Sequence, residues 1–152
     1  MDIRNDILRI KGLQVLTFLG TPPFYLALGT IVAACNFSLA LLFFLSIFLT
    51  ELVCAVIKLL TRTERPTPRK RESLYDQYDA STFPSAHTGR IASNLTMIVA
   101  AYPQPLLVLG SLVIVGGVAY ARVSLKHHYR MDVLVGGIIG FATSLSLFVW
   151  LY

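Results

Sequence analysis

The segment from Phe37 to Ile57 limits the possible folds of this chain more than any other feature. It is apolar throughout apart from a few hydroxyl groups and one charged residue, Glu51, and Lys58 follows it directly. An apolar helix of about 20 residues matches the hydrocarbon core of a bilayer. The segment therefore predicts a transmembrane helix and argues against a soluble domain.

The composition of the whole chain also indicates a membrane protein. Of the 152 residues, 55% are hydrophobic and 14% are charged, and the mean hydropathy is +0.68. A soluble domain of this length could not bury that much apolar surface. No segment is polar enough and long enough to form a separate soluble unit, so we expect residues 1–152 to form a single membrane-embedded domain.

Four further apolar segments are long enough to cross the membrane: residues 13–34, 85–102, 106–124 and 131–152. The first is interrupted by Gly20 and the pair Pro22-Pro23, which predicts a kinked helix whose freed carbonyls are satisfied by neighbouring helices. In the last, Gly136 and Gly140 have the small-xxx-small spacing that permits close helix packing.

The N-terminal residues 2–11 place isoleucines on one side of a helix and charged residues on the other. This pattern favours a short amphipathic helix in the membrane interface, although a frayed leader also fits it. The mixture of acids and bases argues against a cleaved signal peptide. We therefore expect an all-α integral membrane protein, a compact bundle of about five transmembrane helices plus a short N-terminal interfacial helix.

The positive charge lies on one side of this bundle. If the spans alternate in direction, the N-terminus and the loops 61–84 and 122–131 share one face, and all thirteen Lys and Arg residues lie there. Lys and Arg are enriched in cytoplasmic loops, so the charge bias favours a cytoplasmic location for this face. Some of these cations could instead serve a functional site.

Three polar clusters lie at the mouths of predicted spans on the charged face. Their sequences are KLLTRTERP (58–66), PSAH (84–87) and RVSLKHHYRMD (122–132). Three elements that are distant in sequence could therefore converge on one pocket.

The cations of these clusters suit a tetrahedral oxyanion such as phosphate. Lys58, Arg65 and Arg122 supply positive charge and guanidinium forks. Ser85, together with the backbone N–H groups that open the next helix, would add neutral donors at a helix N-terminus.

Two of the three histidines, His87 and His128, suit phosphoryl transfer. Asp132 follows His128 by one helical turn, where its carboxylate can orient the imidazole and stabilise its cation, so His128 is the candidate nucleophile. His87 has no such partner in its own cluster, which suits a general acid. The remaining acids are scattered, so we expect phosphoryl transfer to His128 with no metal ion and no other cofactor.

These residues, in this order and at these spacings, resemble the type 2 phosphatidic acid phosphatase family of membrane lipid phosphatases, within the phosphatidic acid phosphatase and haloperoxidase superfamily. The family pattern is K-x6-RP, then PSGH, then SR-x5-H-x3-D, and residues 58–132 match it in order as the expected catalytic core. Ala86 replaces the usual Gly but keeps its backbone N–H, Ala121 replaces a frequent Ser, and five spans replace the usual six.

The resemblance implies a role for each matching residue. Lys58, Arg65 and Arg122 would bind phosphate with help from the Ser85-Ala86 turn. His128 would be the nucleophile, Asp132 would orient it, and His87 would be the general acid.

Three further residues are expected to act around the site. Glu51 is an acid within a membrane helix and could pair with Lys58 or with Arg90, either in a functional role or as a structural ion pair. Arg90 could instead assist in the pocket. His127 does not have the family spacing to Arg122 and Asp132, so we assign it to the surroundings of the site.

The resemblance implies hydrolysis of a phosphate monoester or diphosphate of a membrane lipid: phosphatidate, phosphatidylglycerol phosphate, or an isoprenoid phosphate or diphosphate. A phosphorylated glycolipid such as a lipid A-type headgroup is an alternative substrate. A non-catalytic membrane scaffold would leave the three clusters unexplained, a haloperoxidase of soluble substrates would not need five spans, and a transporter would place charges deeper in the bilayer.

The expected partners are the lipid substrate and membrane lipids, without nucleic acid, and the sequence leaves the oligomeric state open. Small size favours, by analogy, a microbial cytoplasmic membrane. Family members commonly place the site on the outer face, which opposes the charge bias.

Overall fold

The computed structural model describes the backbone of residues 3–152 and the side chains of residues 7–152. Over these residues it contains seven helices and no strand, which confirms the all-α prediction. The helices are α1 (Ile3–Phe18), α2 (Pro22–Cys35), α3 (Phe37–Thr61), α4 (Leu74–Ala80), α5 (Ala86–Ala101), α6 (Pro105–Ser124) and α7 (Arg130–Leu151).

Three of these helices, α3, α6 and α7, are long and apolar enough to cross a membrane alone. Helices α1 and α2 together could form a fourth span, bent by 48° just before Pro22, where the sequence predicted a kink. The remaining predicted span, residues 85–102, corresponds to α5, whose 16 residues are fewer than the roughly 20 that a span normally needs. It packs against both α3 and α7, so the structure supports three to four apolar spans where the sequence predicted about five.

The predicted interfacial helix at residues 2–11 is not a separate element. Helix α1 continues without a break from Ile3 to Phe18, because no proline or polar turn follows residue 11 and the helical hydrogen bonds can continue. Residue 2 and the side chains of residues 3–6 lie outside the described part of the chain.

The predicted close packing at Gly136 and Gly140 joins α7 to α5. A Cβ atom added at Gly136 would lie 2.3 Å from the carbonyl oxygen of Ser85, and one at Gly140 would lie 2.0 Å from that of Gly89. The backbone N–H of Ser85 also donates a hydrogen bond to the carbonyl of Asp132 at 2.9 Å. Glycine therefore allows the beginnings of the two helices to contact through their backbones.

Small hydroxyl side chains connect α3, α5 and α7 inside the bundle. Ser93 Oγ lies 3.0 Å from Ser46 Oγ and 2.8 Å from Ser144 Oγ. Further along, Phe43 and Met97 belong to the buried apolar cluster. Because side-chain hydroxyls can bond across helices in an apolar medium, these contacts help to fix the relative positions of the three helices.

The two ends of the bundle carry different residues. At one end Asn36 Nδ2 donates a hydrogen bond to Tyr152 Oη at 3.1 Å, so the α2–α3 turn lies beside the C-terminus. At the other end the segment before α5 contacts the α6–α7 loop through Thr82 and His128. The polar clusters therefore gather at one end, as the alternation of spans predicted.

Candidate active site

His128 lies in the short loop between α6 and α7 and is 3% exposed. Asp132, in the first turn of α7, accepts a hydrogen bond from the backbone N–H of Tyr129 at 2.7 Å, which fixes its carboxylate at the helix N-terminus. His128 Nδ1 lies 3.6 Å from Asp132 Oδ2. The structure thus brings together the two residues that the sequence paired by their spacing.

Thr82, which the sequence analysis did not single out, lies between these two side chains. Its Oγ1 atom is 3.1 Å from His128 Nδ1 and 2.5 Å from Asp132 Oδ2. The only sequence signal for Thr82 is its place just before the Pro84-Ser85 cluster, and this signal does not distinguish it from neighbouring hydroxyl residues.

The other ring nitrogen of His128 faces Arg122, with Nε2 3.3 Å from Arg122 Nη2. A guanidinium can only donate hydrogen bonds, so this contact requires an acceptor lone pair on Nε2 and places the ring proton on Nδ1. The hydrogen-bond partners therefore indicate a neutral His128 whose unprotonated nitrogen, Nε2, faces a cation.

The surroundings of His128 keep its imidazole neutral. Burial lowers the pKa of His128 from 6.5 to about 4; the neighbouring Asp132 carboxylate opposes this change and the positive charge of Arg122 adds to it. Burial and the charge of Arg122 also lower the pKa of the adjacent His127 to about 4. His127 does not contact Asp132 through its side chain in the part of the chain that the structure describes, and its assignment to the surroundings of the site stays a prediction.

The predicted phosphate-binding cations are buried beside this imidazole. Arg65 and Arg122 are 7% and 5% exposed, and their Nε atoms have no hydrogen-bond partner among the described residues. Lys58 donates a hydrogen bond to the carbonyl of Ser81 at 2.5 Å. Buried donors without a partner are costly, so Arg65 and Arg122 provide unused capacity for an anionic ligand.

The start of α5 forms the third side of the site. Ser85 caps the helix, is fully buried, and has its Oγ atom 3.1 Å from Thr88 Oγ1. The backbone N–H of Ser85 donates a hydrogen bond to the carbonyl of Asp132 and is not free to bind a ligand. The first backbone N–H groups of α5, beginning at Ala86, have no acceptor within the helix.

His87 is held against the bend between α1 and α2. A Cβ atom added at Gly20 would lie 2.8 Å from the carbonyl oxygen of His87 and 3.0 Å from its Cβ atom. Arg90, one turn later in α5, donates a hydrogen bond to the carbonyl of Gly20 at 3.0 Å. The N-terminal helices therefore support the candidate general acid from outside the three sequence clusters.

Glu51 pairs with Arg90 rather than with Lys58. Arg90 Nε donates to Glu51 Oε2 at 2.6 Å, and Tyr78 Oη donates to Glu51 Oε1. The sequence offered Lys58 and Arg90 as partners of Glu51, and the structure contains the pair with Arg90. The other role considered for Arg90, assistance in the pocket, stays a prediction. Burial and the adjacent Glu51 carboxylate raise the pKa of Tyr78, so its hydroxyl remains a proton donor.

The 67–82 loop covers the cationic side of the site. It contains α4, whose capping residue Ser73 exchanges hydrogen bonds with Asp76. Asp79 contacts Arg65 at 3.6 Å and also contacts Arg69. Through Asp79 the loop therefore brings Arg69, which lies outside the three sequence clusters, close to Arg65, a predicted phosphate-binding residue.

An apolar groove of about 520 Å³ begins beside the site and continues between α5, α6 and α7. Its upper end includes Thr88, one turn after Ser85, and Val133, next to Asp132. Further along it is lined by apolar side chains, including Leu95, Val99, Val115 and Phe141. The groove therefore leads from the polar end of the bundle along its apolar surface.

The side chains that the structure describes contain no cluster of three or more His, Cys, Asp or Glu residues arranged to hold a metal ion. The expected independence from metal remains a prediction. It depends on whether the buried cations alone can stabilise the charge of a phosphoryl group.

A sequence profile described as the PAP2 superfamily matches residues 39–152, and the chain therefore belongs to this superfamily. Family and fold together define a membrane lipid phosphatase, a hydrolase of phosphoric monoesters. No curated protein matches the chain significantly by sequence.

Two solved structures have a similar fold. LpxE from Aquifex aeolicus superposes with a TM-score of 0.80 at 17% identity, covering 94% of this chain and 87% of that protein. A transmembrane PAP2 type phosphatidylglycerolphosphate phosphatase from Bacillus subtilis superposes with a TM-score of 0.76 at 25% identity, covering 92% of this chain and 75% of that protein. The family membership that the three short motifs predicted is thus confirmed over most of the chain.

Proposed function

We propose that this protein hydrolyses a phosphate monoester or diphosphate of a membrane lipid through a covalent phosphohistidine at His128, without a metal ion. One observation carries the proposal. His128 has Asp132 and Thr82 at Nδ1 and the guanidinium of Arg122 at Nε2. A phosphate bound by that guanidinium would lie beside the lone pair that must attack it.

In this proposal Lys58, Arg65 and Arg122 bind the phosphate, and Ser85 and the backbone N–H of Ala86 assist. The unpartnered Nε atoms of Arg65 and Arg122 support this assignment, because an oxyanion would satisfy both buried donors. The same positive charges would stabilise the charge on the phosphoryl oxygens in the transition state.

The first step forms the phosphoenzyme. The Nε2 lone pair of His128 forms the N–P bond while the P–O bond to the lipid breaks, and the leaving oxygen takes a proton from His87. The ring of His128 keeps its Nδ1 proton and becomes positively charged, a charge that Asp132 stabilises. The dephosphorylated lipid leaves with its tail in the membrane.

The second step releases inorganic phosphate. Water attacks the phosphorus, the P–N bond breaks and its electron pair returns to Nε2, while the neutral His87 accepts the proton of the water. His128 is then neutral again and His87 is protonated for the next cycle.

The apolar groove beside the site supports a lipid substrate. A headgroup at the depth of Thr88 and Val133 would place its tail between α5, α6 and α7. The Bacillus subtilis neighbour is a phosphatidylglycerolphosphate phosphatase, so phosphatidylglycerol phosphate is among the proposed substrates together with phosphatidate and isoprenoid phosphates.

We further propose that residues 1–152 form one domain whose site faces the cytoplasm. The charge distribution supports this orientation, because alternating spans would place all thirteen Lys and Arg residues of the sequence on the face that carries the candidate site. A Ser73→Cys variant in a Cys35→Ser background tests it with an impermeant maleimide. Labelling only after permeabilisation supports the cytoplasmic side, and labelling of intact cells places the site outside.

The main experiment measures phosphate release by detergent-purified protein in EDTA from a panel of phosphatidate, phosphatidylglycerol phosphate, isoprenoid phosphates and a phosphorylated glycolipid. We expect activity with at least one lipid, a base-stable and acid-labile phosphoenzyme, and loss of both in His128→Ala. The exposed cation Arg130 provides the control, and Arg130→Gln should retain activity. Loss of all activity in EDTA, or full activity of His128→Ala, contradicts the mechanism.

A further inference from the structure

We propose that Thr82 is a positioning residue that couples the candidate nucleophile His128 to Asp132 through its hydroxyl group. In this arrangement Thr82 Oγ1 accepts a hydrogen bond from His128 Nδ1–H and donates a hydrogen bond to Asp132 Oδ2. The inference rests on the proposed function above, in which His128 is phosphorylated.

The distances favour the path through the hydroxyl over the direct one. His128 Nδ1 and Asp132 Oδ2 are 3.6 Å apart, which is longer than the 2.7–3.2 Å typical of an N–H···O bond. The two contacts of Thr82 Oγ1 measure 3.1 Å to Nδ1 and 2.5 Å to Oδ2. The hydroxyl therefore completes a connection that the carboxylate makes only weakly by itself.

The chemistry of the three groups determines the direction of each hydrogen bond. An ionised carboxylate only accepts, so the single hydroxyl proton of Thr82 must point to Asp132. The remaining lone pairs of Oγ1 can then accept the proton of Nδ1. This is the same tautomer that the contact between Arg122 and Nε2 requires, so two independent contacts agree on it.

The surrounding segment holds the hydroxyl in place. Thr82 is 2% exposed, and its backbone N–H donates to the carbonyl of Thr63 at 3.1 Å. The preceding residue, Ser81, accepts the hydrogen bond of Lys58 through its carbonyl. Two consecutive residues thus connect a predicted phosphate ligand to the candidate nucleophile, and their burial leaves the hydroxyl of Thr82 little access to water.

The coupling matters most when His128 carries positive charge. Attack on phosphorus makes the ring cationic, and the hydrogen bond from Nδ1–H then strengthens because its donor is charged. Through the hydroxyl of Thr82, the negative charge of the Asp132 carboxylate stabilises the positive charge of the ring, and Thr82 keeps its own proton. Its contribution should therefore appear in the chemical step and not in the binding of the ground state.

The test compares Thr82→Val, which keeps the shape and removes the hydroxyl, with Thr82→Ser, which keeps the hydroxyl. We expect kcat of Thr82→Val on a lipid monophosphate to fall by roughly 10- to 100-fold, the effect of one hydrogen bond to a charged group. KM and inhibition by inorganic phosphate should change by less than about twofold. Thr82→Ser should retain kcat within about threefold, and Thr30→Val, on the exposed side of α2, serves as the threonine control.

A double-mutant cycle separates positioning from general structural damage. If the hydroxyl acts through the carboxylate, Thr82→Val should have little further effect on kcat in an Asp132→Asn background. If Thr82→Val does not fold, Thr82→Ala removes the hydroxyl together with the methyl group of threonine and adds no new atom.

Two results overturn the inference: an unchanged kcat in Thr82→Val, whether or not KM rises, or equal losses of kcat in folded Thr82→Ser and Thr82→Val. If His128→Ala is inactive while Thr82→Val behaves like the wild type, the role of Thr82 fails and the proposed function survives. Full activity in His128→Ala would show that His128 is not the nucleophile, and this result would overturn both proposals.

Discussion

Arg90 in α5 and Glu51 in α3 form an ion pair with an N···O distance of 2.6 Å, and the same guanidinium holds the carbonyl of Gly20 at 3.0 Å. One side chain therefore fixes the bend between α1 and α2 to α5, the helix whose first turn contains His87. The pair lies in a mostly apolar bundle, where an unpaired charge would be costly. We infer that it keeps the candidate general acid in position.

Removing one member of this pair should destabilise the protein. Glu51→Gln leaves Arg90 mostly buried without a counter-charge, and we expect a loss of roughly 2 kcal/mol after allowing for the partial exposure of Glu51. Unfolding can be followed by the reaction of a thiol-specific fluorophore with the buried Cys54 in a Cys35→Ser background. The control is Glu72→Gln, whose pair with Lys70 is exposed and should contribute little. Equal melting curves for the two variants would contradict a structural role for Glu51.

The contact between Gly20 and His87 predicts a specific loss of activity. In Gly20→Ala the new methyl group would meet the backbone of His87, so the bend or the start of α5 must move. We expect kcat/KM to fall by about 10-fold or more, because small misplacements of catalytic groups are costly. Gly12→Ala is the matched control, since no atom lies within 4 Å of its added Cβ. The idea fails if both variants are equally active.

The backbone contact between α5 and α7 predicts a large effect of one methyl group. In Gly140→Ala the Cβ atom would lie 2.0 Å from the carbonyl oxygen of Gly89, and the helices must separate. We expect a loss of about 1–3 kcal/mol or more in the same Cys54 assay. Gly110→Ala has open space around its Cβ and should be neutral or stabilising by up to about 1 kcal/mol, since alanine favours helix. A Gly140→Ala protein as stable as Gly110→Ala would refute this packing.

The imidazole of His128 should titrate well below its ordinary value. Its pKa is lowered from 6.5 to about 4 by burial and by the charge of Arg122, so the neutral imidazole should persist to about pH 4. We expect ¹⁵N-histidine NMR of the detergent-solubilised protein, with His127→Gln for assignment, to show this low titration. Arg122→Gln should raise the pKa, because it removes a nearby positive charge. A titration of His128 near 6.5 in the wild type would contradict the described environment.

The same pKa shift has a consequence for stability. The unfolded chain binds a proton at His128 with the ordinary pKa of 6.5, whereas the folded protein resists protonation until about pH 4. Between these values the unfolded state binds more protons, so this group makes the free energy of unfolding decrease as the pH falls through that window. Thermal unfolding measured at pH 7 and pH 5 should therefore show a smaller difference in His128→Asn than in the wild type.

Local patterns in the sequence were sufficient to predict the helical membrane fold, the kink before Pro22, and the order of the three polar clusters. Apolar runs of span length and the four-residue separation of His128 and Asp132 have structural consequences within one or two helical turns. The small-residue spacing of Gly136 and Gly140 predicted close packing for a similar reason, since it depends only on helix geometry. The predicted number of about five spans is not confirmed, because α5, which the sequence counted as a span, has only 16 residues and packs against α3 and α7.

Only the tertiary structure decided which distant residues meet. Thr82 lies 46 residues before His128 and 50 before Asp132, and Arg90 lies 39 residues after Glu51. Their contacts depend on how closely α5 approaches α3 and α7, a distance set by packing that no local pattern encodes. Sequence alone therefore determined the chemical groups of the candidate site, and the packing of the helices determined how they are coupled.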